Sequence, residues 1–193
     1  LNTAIGCQYH EDTYKHHMNH VLKQNQVYSQ ASWGSSDMWE IYGRIGAADL
    51  KMSDAFSSAR PSTVNIGNDL HEYWRFFGTL GAKGFYPINS IFGVGAFIQG
   101  SYNIGKYADE TAVIRNASFF VADLEIKNLW DVNFGLGVQA TVPFGIRLYG
   151  GPYLYYAEAD ARLSGNIPGL PFGTEKTLLK NKSLAGGYFG MDI

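Results

Sequence analysis

Charged residues of both signs recur at alternating positions in this chain: Glu40, Arg44, Arg75, Lys83, Glu125, Lys127, Asp131 and Arg147. An extended backbone puts alternate side chains on one face, so these eight would share a surface. Gathered in an enclosed interior, they could pair into a hydrated plug or line a narrow aqueous passage. The plug is the expectation. Tyr42, Phe77, Tyr149, Tyr153 and Tyr155 share the face and would fill space beside Gly81, Gly93, Gly95, Gly135, Gly137 and Gly151. An eight-stranded interior is only wide enough for side chains.

Other chemistry is sparse. His16-His17-x-x-His20 has the residue type that binds Zn²⁺ or Cu²⁺. No cysteine or well-placed carboxylate completes a set, so neither a metal nor another cofactor is expected. His71 beside Glu72, and His10 near Asp12, are pieces of an acid–base pair without a spacing signature, and no enzymatic activity is expected. Two apolar stretches stand where water is expected: Phe119 and Phe120, and Ile167, Leu170 and Phe172. They read either as loops packed on one another or as a contact for a partner protein at the cell surface, since exposed apolar patches usually mean contact.

The element that must position the charges is clearest at 125–142. Ile126, Trp130, Val132, Phe134, Leu136 and Val138 alternate with Glu125, Lys127, Asp131, Asn133 and Gln139. Period two over that length is a β-strand, and a long one: soluble strands run about 5–6 residues, membrane-crossing ones about 9–11 plus their projections. Similar alternation marks strands near 1–10, 23–34, 39–51, 72–86, 92–102, 146–161 and 183–193. Long polar connections near 11–20, 52–70, 103–123 and 162–182 alternate with short turns, as in a barrel with long loops outside and short turns on the other side. The expected fold is therefore all-β: a single domain over 1–193, an antiparallel up-and-down transmembrane β-barrel of about eight strands. Pro152 falls mid-strand, where a bulge is expected.

Aromatic residues agree with a bilayer. Trp33, Trp39, Trp74, Tyr86, Tyr102, Trp130 and Tyr156 fall near predicted strand ends, where membrane interfaces favour them. Twelve residues separate Trp74 from Tyr86; at ~3.4 Å each and a tilt near ~40°, they rise roughly 30 Å. A soluble eight-stranded calyx would put apolar residues inside and charge outside, whereas here the charges oppose the tryptophans. No run of about 18 apolar residues exists, which excludes a helical membrane protein. A net charge of −2 offers no basic footprint for nucleic acid. The one cysteine, Cys7, allows no disulfide within the chain.

With its girdle tryptophans, dyad repeats and alternating loop lengths, the chain resembles the small bacterial outer-membrane β-barrels of the OmpA transmembrane-domain, OmpX and OmpW type. The resemblance is architectural and covers nearly the whole chain. It implies the outer membrane as location, a lipid bilayer and lipopolysaccharide as surroundings, and a structural or surface-interaction role. It also implies two alternatives, a passive pore for small or hydrophobic solutes and a lipid-modifying enzyme. The chain departs from the family at Met191-Asp192-Ile193, where an aromatic residue is usual, so eight strands is a lower bound.

Overall fold

The computed structural model describes residues 2–16, 18–35, 38–53, 63–65, 70–115, 118–142, 146–167, 170–181 and 184–192. Alternation of apolar with polar residues dictates strands throughout, and the described residues contain no helix. The strands are β1 (Asn2–His16), β2 (Met18–Ser35), β3 (Trp39–Met52), β4 (Thr63–Asn65), β5 (Leu70–Pro87) and β6 (Phe92–Asn103). After them come β7 (Lys106–Arg115), β8 (Ser118–Thr141), β9 (Arg147–Ile167), β10 (Leu170–Asn181) and β11 (Ala185–Asp192). Among the described residues all pairings are antiparallel, in one 11-stranded sheet.

The sheet curls back towards its own start. Ladders run β1–β2–β3–β5–β6–β8–β9, and β9 then pairs with β10 through its second half and with β11 through its first. Groups reach across the concave side: Gln24 Nε2 donates to Asn103 Oδ1 at 3.0 Å, and the Phe97 and Tyr188 rings stand 5.4 Å apart. Among the described residues β10 meets β1 only at Tyr14↔Asn181 and Lys15↔Lys180. Beyond those pairs, β1 has no second partner and β11 none besides β9 among the described residues. The sheet is thus not closed into a barrel, and a seam separates β1 from β11.

Much of what the sequence suggests as loop is strand. β1 and β2 stay paired out to His16↔Met18, and β9 and β10 out to Ile167↔Leu170. β7 folds back along the first half of β8 and carries β4 at its edge. The alternation simply continues into these hairpins with polar residues on one face, which looks like loop composition when only apolar runs are followed. The expected bulge at Pro152 is absent. Register between β8 and β9 runs through unshifted, but no pairs form between Gly135↔Tyr153 and Val138↔Gly150. A proline there lacks the N–H that such a bridge needs. The β8/β9 register shift lies instead between Lys127 and Trp130, at Asn128, whose φ is 53°. Asparagine enters the left-handed region more readily than most residues, and one extra residue there flips every following side chain.

Candidate functional site

That flip divides the molecule. After Asn128, the outward face of β8 carries Val132, Phe134, Leu136 and Val138, all exposed. Before it, Leu124 and Ile126 turn inward and are buried, and the Lys127 side chain points out, 50% exposed. β9 makes the same change without a bulge. Its outward positions pass from Leu148, Pro152, Leu154 and Tyr156 to Glu158, Asp160 and Arg162, while its inward positions pass from Tyr153 and Tyr155 to the buried Ala157, Ala159 and Ala161. We call the part with the short turns the near half, and the part with the extended hairpins the far half. The near half is apolar outside and polar inside; the far half is the reverse.

The far half has a dry interior. Leu22, Leu50, Met52, Leu70, Tyr107 and Ile126 form its centre together with Leu124, Leu129, Leu179 and the β9 alanines. Below it lies a polar boundary. Asn103 Oδ1 accepts from Gln24 and from the Tyr107 hydroxyl at 2.9 Å, and Asn181 Nδ2 donates to the Tyr155 carbonyl at 3.0 Å.

The near half holds polar rows set by strand register. Arg44, Thr79, Ser101 and Asp131 are successive partners across β3, β5, β6 and β8. Thr79 Oγ1 donates to Ser101 Oγ at 3.0 Å, Ser101 bonds Asp131, and Asn133 Nδ2 donates to Asp131 Oδ1 at 2.8 Å. Arg44 Nε donates to Gln30 Oε1 at 2.8 Å, and its guanidinium carbon lies 4.7 Å and 4.9 Å from the ring centres of Tyr28 and Tyr42. In the next row the Tyr42 hydroxyl donates to Gln99 Oε1 at 2.8 Å. Glu40 and Lys83 face each other across β3 and β5, with an Nζ–Oε2 distance of 3.1 Å.

Ring-over-glycine pairs give the interior its shape. Tyr42 lies over Gly81, Phe97 over Gly135 and Tyr153 over Gly186, each directly opposite in register. A Cβ at Gly81 would stand 2.4 Å from the Tyr42 ring, so any larger residue there must displace the ring. Tyr149 covers Gly190, and Phe77 is buried. The remaining space is a cavity of about 260 Å³ bounded by Gln24, Gln26, Arg44, Gln99, Asp131, Asn133 and the rings of Tyr153, Tyr155 and Tyr188.

Of the eight charges expected in an interior, Arg44 and Asp131 line the cavity. Glu40 and Lys83 pair on the same strand face, with the Lys83 side chain exposed. Arg75 is exposed at the register position of Ala48, and Arg147 is exposed at the start of β9, opposite Thr141. Glu125 and Lys127 are the correction. The Asn128 bulge puts them on the outer face of the far half, where they pair with each other. Lys127 holds the Glu125 carboxyl below its ordinary range.

The aromatic residues form two outer groups. Trp33 and Trp39 meet edge to face at 5.3 Å near the short turns, and Tyr86 is exposed on the same end of β5. Trp130 and Tyr156, both half-buried, lie 5.5 Å apart at the boundary between the halves, where Trp74 and Tyr102 are exposed. Polar groups cap this second set. The Tyr102 hydroxyl donates to Asn128 Oδ1 at 3.1 Å, Asn128 Nδ2 to Asp160 Oδ2 at 2.7 Å, and the Tyr156 hydroxyl to Glu158 Oε2 at 2.8 Å.

No protein-family model, curated protein or solved structure matches this chain. Geometry alone therefore carries the functional reading. Phe119, Phe120, Ile167, Leu170 and Phe172 are strand in their backbone, as are His16 and His20, but their side chains lie outside the described residues; His17 lies outside them altogether. Among the described residues no three His, Cys, Asp or Glu side chains gather as metal ligands. Sequence reasoning missed the dry interior of the far half, although Ala157, Ala159 and Ala161 alternating with Glu158, Asp160 and Arg162 signal it.

Proposed function

We propose that this chain is a bacterial outer-membrane β-barrel with a structural or surface-interaction role and a largely plugged lumen. One observation carries the reading: the near half exposes aliphatic and aromatic residues on its outer face while its inner face holds Arg44, Asp131, Gln99 and Asn133. In water that exterior would aggregate; in a bilayer it is the expected lipid face, with aromatics at both interfaces. The far half would stand in water outside, and its dry interior would seal the passage.

Closure of the seam belongs to the same proposal, because unpaired strand edges are not tolerated in hydrocarbon. Between Lys180↔Glu158 and Ala185↔Leu154 the β10/β11 line carries one residue more than β9. Continued from Tyr14↔Asn181 with that extra residue, the register puts Phe189 opposite Cys7. Both side chains are exposed on the outer face, so the two edges match.

Reconstitution into lipid vesicles tests the reading. The folded protein should migrate differently on gels before and after boiling and should resist extraction with sodium carbonate. Solubility without detergent and no heat-dependent shift would overturn it. The polar cavity favours a second reading, a passive pore. Steady single-channel currents in planar bilayers that change with Arg44→Gln would replace the plug with the pore.

A further inference from the structure

The near-half cavity contains an imbalance that neither a plug nor a pore explains. Arg44 and Asp131 both line it, from β3 and β8. Both are held by neutral groups only. The guanidinium has the Gln30 amide and two tyrosine rings, and the carboxylate has Asn133 and Ser101. Among the described residues, neither makes an ion pair. Elsewhere the protein does pair its strand charges, as Glu40 with Lys83 and Glu158 with Lys180.

With Asp131 ionised, the two groups are opposite charges that share a cavity yet stand apart, complementary to a molecule that carries both charges itself. The stacked tyrosines and the Gln30 bond fix the guanidinium, and the Ser101 and Asn133 bonds fix the carboxylate. Each group then presents its remaining capacity to the space between them. The cavity that both groups line, about 260 Å³, suits a ligand of amino-acid size. Gln24, Gln26 and Gln99 add amide donors and acceptors on the same walls. A simple anion would satisfy Arg44 and repel Asp131, and a simple cation the reverse. A neutral polyol would satisfy neither charge.

We propose that this cavity is a binding site for a small zwitterion, an α-amino acid or similar molecule, whose carboxylate meets Arg44 and whose ammonium meets Asp131. The site uses only the near-half interior and does not depend on a bilayer around the protein.

The test is calorimetric titration of the whole folded protein in detergent micelles, with folding checked by circular dichroism. The probes are glycine and L-serine, with acetate, ethylamine and glycerol as comparators. Saturable binding of glycine or serine, with none of the comparators binding as tightly, is the expected result. Asp131→Asn keeps the hydrogen-bonding shape and Arg44→Gln removes the cation. Each should weaken serine binding roughly tenfold or more, as loss of one charged contact does, with the dichroism spectrum unchanged. If either variant fails to fold, the wild-type comparator series decides alone. No binding of either amino acid by folded protein, or binding of acetate or glycerol as tight as that of serine, overturns the proposal. Failure of the membrane reading would show as folded protein without detergent, a different outcome from folded protein that does not bind.

Discussion

β9 passes through two environments without changing its geometry. In its first part Leu148, Pro152 and Leu154 face out and Tyr153 and Tyr155 face in; in its second part Glu158, Asp160 and Arg162 face out and three alanines face in. β8 makes the same exchange with a bulge at Asn128, because its sequence keeps one parity while its surroundings invert. A sheet in one solvent has no reason to exchange its wet and dry faces halfway along. A sheet that leaves one solvent for another must. The far half has the ordinary pattern of a protein in water, with large apolar side chains buried. The near half has the inverse pattern, apolar outside and polar inside, which the proposed function assigns to lipid.

The strongest way to break this contrast is in the far-half interior. Ile126→Ala, at a fully buried position, should cost about 2–5 kcal/mol in denaturant unfolding. Its neighbour Lys127→Ala, on the outer face, should stay within about 0.5 kcal/mol. Equal effects would mean that the bulge does not separate the two faces.

Next in size is a charge on the near-half exterior. Phe134→Arg should destabilise the protein in vesicles by about 2–4 kcal/mol if it lies near the bilayer midplane. Arg162→Leu, on the far-half exterior, should change little. The seam gives a qualitative test of the same outer face: closed as proposed, it makes positions 7 and 189 cross-strand neighbours within disulfide reach, so Phe189→Cys should form an intramolecular disulfide with Cys7, seen as a mass two hydrogens lighter. A disulfide-linked dimer instead would place another copy's strand in the seam.

The smallest effect is a pH dependence. The Glu125 carboxyl is held below its ordinary range by its hydrogen bond to Lys127. A depressed folded value means that the pair's stabilisation is present above the unfolded value, about 4.3, and is lost as pH falls through the folded one. Lys127 is half exposed, so solvent screening should keep the change slight, and it should vanish in Lys127→Ala.

Much of the near half is legible in the sequence. Val132, Phe134, Leu136 and Val138 against Asp131, Asn133 and Gln139 fix strand, face and polarity together, and the ring-over-glycine interior follows from Tyr42 and Gly81 falling on one face. The far half is less so, for two physical reasons. A one-residue bulge inverts parity without leaving a mark in composition, so Glu125 and Lys127 read as continuing the Asp131 face. The far-half hairpins carry polar outward residues and small inward ones, which resemble loop until the alanines are read as a buried row. The Arg44–Thr79–Ser101–Asp131 row depends on cross-strand register, which the sequence of any single strand does not contain.

The most direct measurement places nitroxide spin labels on single cysteines in vesicle-reconstituted protein, with Cys7 replaced by serine. Labels at Leu136 and Leu154 report the near-half exterior, and labels at Lys127 and Arg162 the far-half exterior. Collision with oxygen, which concentrates in lipid, is compared with collision with a water-soluble nickel chelate. The account predicts oxygen access with nickel exclusion at Leu136 and Leu154, and nickel access at Lys127 and Arg162. Nickel access at all four would contradict it and leave a sheet with a single solvent on its outer face.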